Sequence, residues 1–271
     1  MKNTKEHYEK RMKELEDDLY GLMGQVMNDK SEMDKLTAHY RIGGLYSYSL
    51  YNSFLIYMQG GTIAQSFTGW KKLKRFVKKG EHSKISIFVP WFKKVEEIDR
   101  ITGKKVEKKK LIKFGIGHVF NIDQTDGEEL KYDHNSTDQI KYDYETIKEK
   151  MAKQFNVEIT EAHTGSARGY TDGKKIVISK MSNNTDKVKT LIHEIAHVAL
   201  DHVSKKEDRA VGELEAEGAT YIVQSFLGME FDLSEAYIKN WNTTGRKANI
   251  KRTIGTADKI IKVFKPEAVK K

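Results

Sequence analysis

Residues 190–202 read TLIHEIAHVALDH. Whether this stretch is a metal-binding helix or an ordinary amphipathic one decides how the chain is read. His193, Glu194 and His197 spell H-E-x-x-H. On a helix, positions i and i+4 share a face, so both imidazoles can reach one ion. Glu194 lies beside that face, where its carboxylate can take a proton from a water polarised by the ion. The helix has independent support. Val188, Leu191, Ile192, Ile195, Ala196 and Ala199 fall at i, i+3, i+4, i+7, i+8 and i+11, a continuous apolar stripe. Asn184 or Thr185 is expected to cap it, with Asp186 suited to its first turn.

A motif of five residues calls for a third ligand. Residues 213–217 read ELEAE on the next expected helix, and Glu213 and Glu217, four apart, share a face. Glu217 is followed by Gly218 and Ala219, which allow close helix packing, and it is the expected ligand. Glu213 is the second choice or a supporting group, and Glu215 points elsewhere on the helix. The expected ion is Zn2+, with Mn2+ as the alternative. His202 follows His197 by five, about 140° round a continued helix, and lacks the HExxHxxGxxH spacing and its glycine. Asp201 reads as a helix-end surface or supporting group. SARGYTDGKKIVIS (166–179) would supply an edge strand for a peptide substrate. Tyr170, Arg168, His163 and Tyr221 are the candidates for stabilising an oxyanion.

Composition bounds the rest. The 271 residues suit one large or two ordinary domains. Cysteine is absent, so disulfides and thiolate ligands are excluded and any metal must be held by His and carboxylates. That absence fits a reducing compartment, and the expected location is cytoplasmic. No apolar run is long enough for a membrane span, and the N-terminal MKNTKEHYEKRMKELEDD has no apolar signal region. The net charge of +9 is unevenly spread. Residues 70–113 hold sixteen Lys/Arg against five acids, residues 114–150 are acidic, and residues 239–271 hold ten basic residues against two acids. A polyanion is the expected partner of such blocks.

Along the chain, residues 4–38 read as a long amphipathic helix broken near Asn28–Ser31, and Leu45–Gln59 as a second helix. SFTGWKKLKRFVKKGE (66–81) reads as a short basic helix after Thr68 stopped by Gly80. ISIFVP (85–90) reads as a strand, and the following segment as a hairpin turning around Thr102–Gly103–Lys104. A helix from Asp143, strands VEITEA and KKIVISK, the HExxH helix, and a helix over RAVGELEAEGATYIVQSFLG closed by Gly228 follow. A helix near Ser234 and a basic one in 246–263 complete the chain. In the basic half, Trp70 and Trp91 stand among Lys71, Lys72, Lys74, Arg75, Lys78 and Lys79. Aromatic faces stack on unpaired bases while basic side chains track phosphates, so these residues are candidate contacts to single-stranded DNA. The excess of lysine over arginine favours phosphate contact over base readout.

The order NSFLIYMQ, AQSFTGWKKLKRFVKKGE, ISIFVP and HVFNIDQT resembles the N-terminal single-stranded-DNA-binding domain of ArdC-type antirestriction proteins and the LtrC-like proteins of conjugative elements. RGYTDGKKIVIS, KVKTLIHEIAHVAL and ELEAEGATYIVQSFLG resemble the metallopeptidase half of that family, close to ImmA/IrrE-like gluzincins. The resemblance spans roughly residues 40–125 and 145–230. It places Asn52, Gln65, Trp70, Lys78, Lys79 and Gly80 on the family's recurrent N-domain positions, and His193, Glu194, His197 and Glu217 on its peptidase site.

The expected architecture is α+β: N-terminal helices with a small antiparallel sheet, followed by a zincin-like metallopeptidase domain with the HExxH helix. The expected divisions are a DNA-binding domain over 1–125, a linker over 126–142, a peptidase domain over 143–232 and a basic helical tail over 233–271. The expected function is that of a single-stranded-DNA-binding zinc metallopeptidase of a mobile genetic element, protecting incoming DNA from restriction and cleaving a protein substrate that the sequence does not name. Two alternatives stand beside it. One is a non-proteolytic protein that coats single-stranded DNA and keeps a metal-bound pseudo-peptidase domain. The other is an ImmA-like regulatory protease that cleaves a repressor.

Overall fold

The computed structural model describes residues 2–42, 48–98, 104–130, 143–203, 208–229 and 249–264. The hairpin turn expected at Thr102–Gly103, most of the expected linker, and the helix expected near Ser234 lie outside the described residues. The chain divides into two compact units, Met1–Glu16 with Phe54–Lys131, and Asp17–Ser53 with Tyr132–Lys271. This differs from the division expected at residue 125, because most of the N-terminal helical region belongs to the second unit.

The first helix, α1 (Lys2–Asn28), gives way to α2 (Lys30–Ile42). The break falls at Asp29, whose carboxylate accepts from the backbone N–H of Ser31 at 2.9 Å and of Glu32 at 3.4 Å. A side chain that satisfies the orphan donors of a new helix is a reason to start one. Helix α3 (Leu50–Met58) follows.

The first unit is built on antiparallel pairs: β1 (Ala64–Gln65) with β4 (Lys105–Asn121), β4 with β3 (Ile85–Ile98), and β2 (Arg75–Val77) with β5 (Thr125–Gly127). The basic helix expected over 68–80 is only α4 (Phe67–Lys72), capped by Ser66 through Gly69 N–H. Lys74 takes a left-handed φ of 55°, which ends helical continuation, and the chain enters β2. The expected hairpin forms, with ISIFVP as the start of its first arm: β3 runs on through Pro90 and pairs antiparallel with β4 to Ile98↔Lys105, with a register shift between Trp91 and Phe92. The core end of β3 is tied down by Gln59. Its amide donates to Ser86 O at 2.9 Å and accepts from Ser86 N–H at 3.0 Å, as a neighbouring strand would.

In the second unit, β8 (Lys175–Ser179) lies between β6 (Glu158–Ala162), parallel to it, and β7 (Gly169–Thr171), antiparallel. Helix α5 (Tyr144–Phe155) precedes this sheet, and α6 (Asn184–Leu200) and α7 (Arg209–Phe226) follow it. The cap of α6 is Asn183, one residue earlier than expected, accepting from Asp186 N–H at 2.9 Å. The predicted stripe is the buried one over most of its length, with Val188, Leu191, Ile192, Ile195 and Ala196 closed from solvent and Ala199 half-buried. Helix α7 is buried almost all round from Leu214 to Leu227 and packs on α2, α6 and the last helix, α8 (Ile250–Phe264).

Residues 250–264, expected in a basic tail, thus belong to the core of this unit. Ile250, Ile254, Ala257, Ile260 and Ile261 are buried while Lys251, Lys259 and Lys262 face solvent. Counting charge hides an amphipathic helix whose lysines all sit on one side.

Candidate functional site

Helix α6 carries the two imidazoles, and α7 brings a carboxylate to them. His193 Nε2 and His197 Nε2 are 3.1 Å apart. Glu213 Oε2 lies 3.4 Å from His197 Nε2 and 3.8 Å from His193 Nε2. Donors held tetrahedrally at the usual zinc distances lie ~3.4 Å from one another, so this N2O set fits a small divalent cation without rearrangement. The carboxylate that closes the cluster is therefore Glu213, the second choice from sequence. Among the described residues, the groups able to hold an ion are His193, His197 and Glu213, and Glu217 is not with them. Glu217 is one helical turn deeper on α7, where burial raises its pKa and the Glu213 charge adds to the rise.

Glu194 sits beside the cluster and is buried. Burial pushes its carboxyl up to about 7. Burial, with His197 close by, pulls His193 down to about 4, which keeps the ring neutral and free to ligate at pH 7. Glu213 is held below the ordinary carboxylate range, first by the hydrogen bond with His197. All four residues line a cavity of about 390 Å³. Tyr170 of the edge strand β7 and Arg209 at the start of α7 line it too. Of the four oxyanion candidates, Tyr170 alone lines this cavity, and Tyr221 is fully buried in α7. Arg209 escaped the sequence reading because no local pattern marks it. Gly169 brings β7 against α6, since a Cβ there would come within 2.7 Å of Thr190 Cγ2.

Behind the cluster runs a second line of polar groups that the sequence did not reveal. His197 Nδ1 meets His202 Nδ1 at 3.1 Å, and His202 Nε2 meets Glu215 Oε2 at 3.2 Å. Glu215 also accepts from Asn249 N–H at 2.6 Å and lies 3.5 Å from Arg252 Nη1. Arg252 in turn donates to Leu200 O at the end of α6. Burial pushes Glu215 up, but the bonds from His202 and Asn249 and the charge of Arg252 outweigh it and hold the carboxyl low. His202 reaches this position because Asp201 ends the helix with φ +60°. A continued helix would have carried the ring away. Such a chain behind a ligating imidazole orients the ring and fixes its tautomer.

The predicted DNA contacts fare differently from one another. Trp70 is 0% exposed and its Nε1–H donates to Phe120 O at 2.9 Å, so it is a core residue and cannot stack on a base. The Arg75 guanidinium is spent on Thr125 Oγ1, Thr125 O and Glu128 O. Lys74 pairs with Glu128 at 3.1 Å, and Lys78 donates to Asp123 O at 2.9 Å. Gln65 is half-buried in β1, and Asn52 belongs to the second unit. Lys71, Lys72 and Lys79 are exposed, as is Trp91. The solvent-facing aromatics of this unit are Phe67, Phe76, Trp91, Phe92 and Phe114. Among the described residues no helix is long and apolar enough to cross a membrane.

An α+β fold in which an HExxH helix faces a glutamate helix across a small cavity defines the class: a protein with a two-histidine, one-carboxylate candidate metal site. Residues 5–120 match the N-terminal domain of the anti-restriction factor ArdC. That match covers the N-terminal part of the chain, ahead in sequence of the residues of the candidate metal cluster. Two crystal structures of the antirestriction ArdC protein from the R388 plasmid, one metal-free and one Mn(II)-bound, are similar at 23% and 22% identity. Each comparison covers 79% of this chain and 81% of that one, with a TM-score of 0.42. No curated protein matches the chain.

Proposed function

We propose that the chain is a metal-dependent peptidase that also binds single-stranded DNA and serves antirestriction on a mobile element. The observation that carries the peptidase reading is the placement of Glu194 beside His193, His197 and Glu213 in one cavity. His193, His197 and Glu213 would hold the ion, whose chemistry is to polarise a water and the carbonyl to be cleaved. Glu194 then accepts the proton of the attacking water and returns it to the leaving amine. A carboxyl with an affinity near neutrality suits both steps. Tyr170 and Arg209 supply donors where the carbonyl oxygen gains charge. The exposed edge of β7 orients an extended peptide by backbone pairing. His202 and Glu215 keep His197 in its ligating orientation.

The DNA-binding reading is supported by the match to the ArdC N-terminal domain and by the lysine surplus of residues 70–113. A bound strand would raise the local concentration of any protein on the same strand and so present it for cleavage. The test is to incubate the purified protein with Zn2+ or Mn2+, with and without single-stranded DNA, beside Glu194→Gln, and to follow cleavage by intact mass. The expected result is cleavage by the wild type and none by the variant, with DNA affinity the same in both. Cleavage retained by Glu194→Gln overturns the assigned role. Restriction protection that persists in Glu194→Gln would favour the DNA-coating function instead.

A further inference from the structure

The hairpin of β3 and β4 continues well past the core. From Pro90 to Ile98 and from Lys104 to Phe114 every residue is exposed except Val95 and Val106, which are half-buried. Nine residues of strand make an arm of ~30 Å. Its cross-strand register is Pro90 with Phe114, Trp91 with Lys113, Phe92 with Leu111, Lys93 with Lys110 and Lys94 with Lys109. Directly opposed residues have Cβ atoms ~5 Å apart, where like charges destabilise the pair. Two successive registers of the arm thus set lysine against lysine.

Their compensation is uneven. Near the tip, Lys105 pairs with Glu96 at 3.2 Å and Lys108 with Glu97 at 3.0 Å. Lys94 reaches Glu107 at 2.7 Å. Among the described residues no carboxylate pairs with Lys93, Lys109 or Lys110. The uncompensated lysines fall on the stretch that also exposes Trp91, Phe92 and Phe114, at 50–56%. Lys113 Nζ stands 4.8 Å from the Trp91 ring centre. Lysines that only keep a hairpin from aggregating need neither to oppose one another nor to flank bare aromatic rings. A balanced tip and an unbalanced, aromatic waist on one ribbon indicate a ligand that is both anionic and flat-faced.

We infer that this waist, centred on Trp91, Phe92, Lys93, Lys109, Lys110 and Phe114, is the place where a single strand of DNA lies. This rests on the DNA-binding reading above and moves the stacking platform from Trp70 to the arm. Phosphates running along the ribbon neutralise the opposed lysines, and unpaired bases stack on the exposed rings. Both faces of the waist take part, since alternation puts Trp91 with Lys93 and Lys110 on one face and Phe92 with Lys94 and Lys109 on the other.

The test is fluorescence anisotropy of the full chain with a labelled single-stranded oligonucleotide across a salt series, with a duplex of the same sequence beside it. The variants are Trp91→Ala, Phe92→Ala and a quadruple Lys→Ser at 93, 94, 109 and 110. All of these side chains are exposed, and an unchanged thermal midpoint certifies the fold. Each aromatic variant is expected to bind the strand roughly five- to a hundred-fold more weakly. The quadruple variant is expected to lower the slope of log K against log salt by up to about 3, at ~0.7 per phosphate contact. Wild-type affinity in all variants overturns the arm while leaving DNA binding intact. Absence of single-strand binding by the wild type overturns the underlying reading itself. Equal binding of duplex and strand, both lost in the variants, keeps the arm but overturns its preference for unpaired bases.

Discussion

Which glutamate of ELEAE closes the candidate metal site can be decided by measurement. In the structure Glu213 Oε2 stands 3.4 and 3.8 Å from the two Nε2 atoms, near the spacing of ligands around a tetrahedral ion. Glu217 is outside that cluster. Removing a group that merely orients a ligand lowers metal affinity by roughly 10–100-fold, so removing one of three ligands must exceed that. Glu213→Gln is therefore expected to weaken Zn2+ and Mn2+ binding by more than ~100-fold, at least ~2.8 kcal/mol at about 1.4 kcal/mol per decade. Glu217→Gln is expected to change it less than about ten-fold, the lower limit for a supporting group. The folding cost should be small for both. Glu213 is half-exposed, and Glu217 as glutamine no longer has to carry a charge disfavoured by burial. Titration against a chromogenic chelator at pH 7 measures the affinities, and thermal melting of the apo forms checks the fold. A large loss in Glu217→Gln with none in Glu213→Gln would refute the geometric assignment and restore the choice made from spacing.

Other consequences follow from the groups around the cluster. Glu215, with a side chain 2% exposed, faces His202 and Arg252 and takes Asn249 N–H. Glu215→Ala should cost ~3–5 kcal/mol in urea unfolding, because it strands buried partners. Where the variant still folds, its metal affinity should fall by ~10–100-fold. The Lys187 ammonium, 2.6 Å from Glu161, is the main reason the Glu161 carboxyl lies below its ordinary range. Stability from this pair is fully present above the unfolded value of ~4.3 and is lost as pH falls through the lower folded value. Glu161→Gln should remove ~1–2 kcal/mol at pH 7 and flatten that acid slope in pH-dependent melting. Equal slopes in the two proteins would contradict it. Trp70→Phe should lose ~1–3 kcal/mol of stability, through the unpaired Phe120 carbonyl, and leave single-strand affinity unchanged.

What the sequence reveals of this fold is what repeats locally. The stripe from Val188 to Ala196 is written at helical spacing, and its burial follows. The alternation of ISIFVP and the branched apolar run of KKIVIS read directly as strand. The candidate ligand pair His193 and His197 needs nothing but one helix. The break at Asn28–Ser31 is legible for the same reason, because Asp29 acts on residues two and three ahead of it.

The errors all concern relations between elements, or a turn of the backbone that composition does not encode. Glu213 and Glu217 are equivalent on a helical wheel, and only the register of α7 on α6 separates them. Had α7 slid one turn along α6, Glu217 would face the imidazoles. That register is set by what α7 packs against on its other sides, α2 and α8, which are remote in sequence. His202 is outside the candidate ligand set, as its spacing implies, but spacing on a continued helix does not show its other contacts. One residue in the left-handed region, Asp201, turns its ring between His197 and Glu215. Trp70 and Trp91 stand in similar basic surroundings, yet one is fully buried and the other is exposed on an arm. Charge density predicts that a polyanion is met somewhere in residues 70–113. Which aromatic is left open to meet it depends on where the strand pairing of β3 outruns the core, and that boundary at Val89 is a property of the folded unit.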